Sequence, residues 1–255
     1  MRYRIVLLIW VMMIVFAPLL TPHSPMQTNP NNTLQPPTLA HLLGTDYLGR
    51  DVWSRVLYGG QRTLWIAGIS SISVIVVATC VGMLGLVNNR LTQASVQLVL
   101  DILLVFPVVL LALILLTLLG RGTLSIIIAL SIAQLAPFAS MVITSGRLAL
   151  KTDFVMASQA LGASHFWILA RHVLLAIRPT FLVYCGTTFA YIVLNGAGLG
   201  FLGLGDDPSL PEWGMMLADG RFSFRIAPWV TIAPGIAIGI TVFCVNRIIE
   251  QVDSP

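Results

Sequence analysis

Charge is what this sequence has least of. Asp, Glu, Lys and Arg make up 9% of its 255 residues, where a soluble domain carries about 25%. So few charges cannot clothe a water-facing surface, and 57% of the residues are hydrophobic. Lipid must be the solvent for much of the chain. Cysteine is scarce too: Cys80, Cys185 and Cys244 stand far apart, each in an apolar run, which fits packing and excludes a disulfide framework or a zinc site. No GxxxxGK(S/T) sequence occurs, so this chain does not hydrolyse ATP in the phosphate-loop manner. His23, His41, His165 and His172 lack metal-ligand spacing, and nothing assembles a nucleophile, a base and oxyanion donors. The net charge of +4 comes from single basic residues between apolar runs. That pattern marks membrane boundaries and excludes nucleic acid as a partner.

What the sequence does have is a series of apolar stretches of about 20 residues, each long enough to cross the hydrocarbon core. They predict an all-α, polytopic membrane protein with about six transmembrane helices. Residues 1–20 read as an N-terminal transmembrane helix; a cleaved signal peptide is the rival, but no small-x-small cleavage site follows Leu20. Residues 21–61 form an extracytoplasmic loop rich in Pro and Asn, closing with a short interfacial helix over 46–61 whose Trp53 and Tyr58 suit the headgroups. Residues 62–248 form a core of five helices, spanning about 63–87, 96–119, 124–144, 180–194 and 229–245. Within that core lie a polar segment at 147–178 and a second extracytoplasmic loop at 198–227. Placing both termini in the cytoplasm puts eight Lys or Arg inside and six outside, the sense of the positive-inside rule.

Several residues carry a polar or conformational signal. Asp101 near the start of the third span is read as a structural anchor, favoured by the positive end of the helix dipole. Gly235 and Gly239 are spaced for close helix packing inside the subunit. Gln134 interrupts the small-residue face of the fourth span, and Thr187, Thr188, Tyr191 and Asn195 bring polarity into the fifth. These five are the candidates for lining a pathway. Gly198, Gly200 and Gly203 match GxGxxG by letter, but no strand precedes them, and a break in a membrane helix explains them. Asp206, Asp207, Glu212 and Asp219 read as solvated loop charges, with pairing to an external partner as the alternative.

The most informative stretch follows the fourth span: Phe154, Val155, Met156, Ala157, Ser158, Gln159, Ala160, Leu161, Gly162, Ala163 and Ser164. Phe154, Ala157, Leu161 and Ser164 recur at helical spacing, giving a face that can dock, and Gly162 ends or interrupts the helix. This segment resembles the EAA loop of bacterial importer permeases, whose pattern is roughly E-A-A-x-x-x-G. It is most similar to the DppC/OppC-type permeases of the peptide and nickel importer group. Leu43 to Arg55 resembles that group's L-G-T-D-x-x-G-R-D-V-x-S-R, Asp101 to Pro107 its D-x-x-L-x-F-P, and Phe201 to Gly205 with Pro211 to Gly214 its F-L-G-L-G and P-x-W-G. Met156 departs from the pattern at the usual Glu, and Ser158 at the second Ala.

The resemblance implies a type I ABC importer permease fold in the bacterial inner membrane. It further implies that residues 154–164 couple to ATPases, that the chain is a transport subunit rather than an enzyme, and that it holds no cofactor, ATP and Mg belonging to partner subunits. The expected partners are a second homologous permease, two ATPase subunits, an extracytoplasmic solute-binding protein and the lipid bilayer. Di- or oligopeptides are the first expectation for cargo, with nickel or a metal chelate as the alternative. An ATP-independent secondary transporter or channel is the rival from another class.

Overall fold

The computed structural model describes residues 2–253; Met1, the first residue of the expected N-terminal helix, lies outside them, as do Ser254 and Pro255. Among the described residues the fold is helical, with one isolated bridge between Thr45 and Asp51 in place of a sheet. Twelve α-helices are numbered in chain order: α1 (Arg2–Val15), α2 (Ala17–Leu20), α3 (Val52–Leu84), α4 (Arg90–Val105), α5 (Val108–Leu119), α6 (Thr123–Ala149), α7 (Asp153–Ala160), α8 (His165–Ile168), α9 (Leu174–Ala176), α10 (Arg178–Phe201), α11 (Trp213–Gly220) and α12 (Trp229–Asp253). Four of them, α3, α6, α10 and α12, are long and apolar enough to cross a membrane. The pair α4 and α5 makes a fifth apolar segment, bent by 94°. Helix α1, at 14 residues, is shorter than a full crossing, so against about six spans expected the described residues hold four, or five with the bent pair.

Three features depart from the sequence reading, each for a local reason. The third span is not straight, because Pro107 lacks an amide hydrogen and restricts Phe106 to an extended conformation (φ −89°, ψ 131°). There is no separate interfacial helix at 46–61. Asp51 caps a continuous helix instead, accepting hydrogen bonds from Ser54 N (2.8 Å) and Ser54 Oγ (2.7 Å), so α3 runs unbroken for 33 residues. The glycines at 198 and 200 do not break a helix either. Helix α10 passes through both and ends at Phe201, just before Gly203, where φ is +79°.

Helix α6 is the centre of the bundle. Its small residues Ala129, Ala133, Ala136 and Ala139 are all buried, and it packs on α3, α5 and α10, as small side chains allow in lipid. The short α11 folds back into the bundle against α10. A methyl group at Gly214 would lie 2.4 Å from the Ala197 carbonyl oxygen, so only glycine permits this approach. Trp213 is fully buried beside it and donates to Val56 O at 2.8 Å. Gly235 and Gly239 make no close approach of the kind assigned to them: a side chain at Gly239 would meet nothing within 4 Å, and one at Gly235 only Leu217 at 3.8 Å, an ordinary contact.

Candidate functional site

The bundle has two unlike ends and a cavity lined by both polar and apolar side chains. At one end residues 21–51, the start of α6 and residues 202–228 meet. Asp46 organises the first loop, its Oδ1 accepting from the amides of Leu48 and Arg50, both at 2.9 Å. Its Oδ2 pairs with Arg50 Nε at 2.6 Å and Arg55 Nε at 3.6 Å. Both arginines also reach Asp219 on α11, at 3.3 Å and 3.8 Å. Two guanidinium groups and two carboxylates thus balance one another, three of the four side chains being almost wholly buried. Burial raises the Asp219 pKa against the opposing pull of Arg50 and Arg55.

A second cluster lies beside the first. Arg62 on α3 pairs with Asp206 at 2.6 Å, and Thr123 at the start of α6 donates its hydroxyl to the same carboxylate. Glu212 lies 4.0 Å from Arg62 Nε, with its buried Oε2 lacking a hydrogen-bond partner among the described residues. Desolvation pushes its pKa up to about 7, against the attraction of Arg62. Of the four loop acids, only Asp207 behaves as the solvated charge expected. It caps Ser209 through its Oδ1, which lowers its pKa. Asp206, Glu212 and Asp219 turn inward to arginines from distant parts of the chain, because a carboxylate shielded from water needs an opposite charge beside it.

Between the ends, a cavity of about 320 Å³ is lined by Val108, Pro137, Phe138 and Tyr184 together with Gln134, Thr187, Thr188, Tyr191 and Asn195. All five pathway candidates therefore converge, although Gln134 comes from α6 and the rest from α10. The 187, 188, 191 and 195 positions share a helical face, and Gln134 meets it from across the groove. The Thr187 hydroxyl is satisfied by Val183 O at 2.8 Å. The side chains of Gln134, Tyr191 and Asn195 have no partner among the described residues. A wall of uncharged donors and acceptors can hydrogen-bond a polar solute without binding it tightly by charge. Asp101, by contrast, is exposed and takes part in no such wall. It lies well inside α4, accepting from Gln97 Nε2 at 2.8 Å, so the helix-dipole anchor assigned to it does not apply.

The opposite end carries α7, Gly162 and α8. Val155 faces inward and is fully buried. Phe154, Met156 and Leu161 stand out, with Leu161 89% exposed. Gly162 has φ +85° with nothing near its missing side chain, so glycine is required by backbone conformation alone. Ser164, expected on the docking face, instead caps α8 by accepting from Trp167 N at 3.3 Å. His172, weighed in the sequence only for metal-ligand spacing, sits against this segment. A π-helical turn, Leu169–Val173, carries it, and periodicity read at 3.6 residues per turn gives no warning of such a turn.

Comparison with known proteins agrees with this architecture. A solved chain titled as the inward-facing MetNI methionine ABC transporter matches with a TM-score of 0.61 at 21% identity, covering 77% of this chain and 95% of that one; this bears on the fold. The dipeptide transport system permease protein DppC of Alkalihalophilus pseudofirmus is 33% identical over 244 residues, covering 96% of this chain and 80% of that protein. A peptide transport system permease protein of Brucella abortus is 38% identical over 254 residues, covering 97% and 86%. Residues 5–37 match the N-terminal TM domain of oligopeptide transport permease C. Residues 75–254 match the binding-protein-dependent transport system inner membrane component, and to that family of ABC importer permeases this chain belongs.

Proposed function

We propose that this subunit forms, with a second permease, the path by which di- or oligopeptides delivered by a binding protein enter a bacterial cell. The observation that carries the reading is the cavity where Gln134, Thr187, Thr188, Tyr191 and Asn195 meet. Peptides share a backbone of amide donors and acceptors while their side chains vary. Uncharged side-chain amides and hydroxyls match the shared part and make no demand on the variable part. The named peptide permeases among the relatives support the same cargo over nickel or a metal chelate.

Residues 154–164 are assigned to ATPase coupling. Their exposed apolar side chains Phe154, Met156 and Leu161 suit a groove on an ATPase subunit, and ATP with Mg would be held there. Two ATPases closing on ATP would move two such helices, because packed interfaces switch between discrete arrangements. In this orientation both termini and α7 are cytoplasmic, and the loops at 21–51 and 202–228 face the binding protein. The test is uptake of a radiolabelled dipeptide and of nickel ions by a deletion strain carrying the gene. Dipeptide uptake restored by wild type and lost with Asn195→Leu plus Gln134→Leu supports the reading; restored nickel uptake alone sinks it.

A further inference from the structure

The segment 154–164 has few ties to the rest of the subunit, and one side chain supplies two of them. His172 Nε2 lies 3.3 Å from Ser158 Oγ on α7. Its ring meets Phe154 of α7 edge-on at 5.7 Å and Trp167 of α8 edge-on at 4.7 Å. The Ser158 hydroxyl already donates to Phe154 O at 2.9 Å. With that proton committed, the hydroxyl oxygen can accept from His172 Nε2. Phe154, Ser158 and Trp167 lie on both sides of the Gly162 turn, so His172 sits inside the angle between α7 and α8.

The backbone beneath His172 is unusual in a way that explains its position. Leu174 N–H bonds to Leu169 O, a five-residue step, so this turn holds one residue more than an α-helical turn. One residue turns a side chain by about 100° around a helix, so without the insertion His172 would point away from α7. Leu169 and Val173 bury the other side of the turn, and His165 Nε2 fixes the start of α8 to Leu86 O at 2.8 Å. After the turn the chain continues through α9 into α10, whose Tyr184, Thr187, Tyr191 and Asn195 line the cavity.

We propose that His172 is a positioning residue that locks α7 to the base of α10, so that a push on α7 reaches the cavity wall instead of being lost in the Gly162 turn. This rests on the assignment of 154–164 to ATPase coupling. Such wedging matters because α7 has little else to transmit through: of its side chains only Val155 is fully buried. π-Helical turns recur at functional positions for this kind of re-aiming.

The experiment uses the complete importer in proteoliposomes, with ATPases, binding protein and a radiolabelled dipeptide. It reads ATPase co-purification, ATP hydrolysis and dipeptide taken up per ATP. His172→Ala should keep the ATPases bound and hydrolysing within twofold of wild type while uptake per ATP falls five- to tenfold. His172→Gln, which restores a donor toward Ser158, should recover part of that loss. An assembled His172→Ala importer with a wild-type ratio overturns the proposal. Should that variant fail to assemble, Ser158→Ala decides: a ratio lowered two- to threefold supports the lock, and an unchanged ratio refutes it. Failure of the underlying assignment looks different. Leu161→Glu would then leave ATPase co-purification intact, whatever the His172 variants do.

Discussion

The two ends of this subunit are held by opposite means. The end built from residues 21–62 and 202–228 is tied by buried charge, with Arg50 and Arg55 shared between Asp46 and Asp219 and Arg62 shared between Asp206 and Glu212. The end built from 150–177 is tied by neutral hydrogen bonds and ring contacts, with Leu161, Phe166 and Leu175 exposed. Breaking a buried ion pair costs about 3–5 kcal/mol, whereas a neutral hydrogen bond contributes about 0.5–1.5 kcal/mol. The difference teaches that the first end resists rearrangement far more than the second, as the proposed coupling role of residues 154–164 requires.

The sharpest way to break the comparison is Arg55→Ala. Arg55 is 2% exposed, and its loss leaves Asp46 and Asp219 undercompensated, so we expect a destabilisation of about 3–5 kcal/mol, read as a fall in melting temperature of the solubilised protein. Arg171→Ala at the other end, exposed and outside any ion pair among the described residues, should change stability by less than about 0.5 kcal/mol. Equal effects would erase the distinction.

Glu212 gives the next largest effect and a definite sign. Its pKa is raised from 4.5 to about 7, so the folded form binds a proton more tightly than the unfolded one. The resulting stabilisation is fully present below about pH 4.5 and is lost as pH rises through 7, a span worth roughly 3 kcal/mol. Melting temperature should therefore climb on acidification from pH 8 toward 5, and Glu212→Gln should flatten that climb. An unchanged slope in the variant would assign the pH response elsewhere.

Gly162→Ala should be milder, about 1–2 kcal/mol of backbone strain from φ +85° with no steric clash. Because that strain falls in the segment proposed to couple to the ATPase, dipeptide uptake should drop while the melting temperature of the far end stays put. The smallest effect is expected for Asp101→Asn. Exposed and bonded only to Gln97, Asp101 should tolerate it within about 0.5 kcal/mol by thermal unfolding.

Much of this molecule was legible in the sequence, because lipid leaves the chain few options. Long apolar runs must be helices, and polar residues inside them must find one another or a cavity. That is why four polar positions in the fifth span, with Gln134 from the fourth, fell together around one space. Pro107 and the Asp51 cap were visible as letters, but their consequence depended on whether neighbouring apolar residues would overrule them. The pairings of Arg50 with Asp219 and Arg62 with Asp206 bridge 169 and 144 residues, and local patterning carries no record of such partners. The π-helical turn was hidden because it inserts one residue into an otherwise ordinary helical period.

The right-angled bend at Pro107 also sets how this subunit meets the bilayer. Helix α5 has 12 residues, a rise of about 18 Å, which falls well short of the roughly 30 Å hydrocarbon thickness. A bilayer bordering α5 would have to thin, or fill the remainder against the apolar flank of α4, where Leu98, Val99, Ile102 and Val105 are exposed. Mismatch of that kind costs a fraction of a kcal/mol per Å, so acyl-chain length becomes a lever on this part of the subunit.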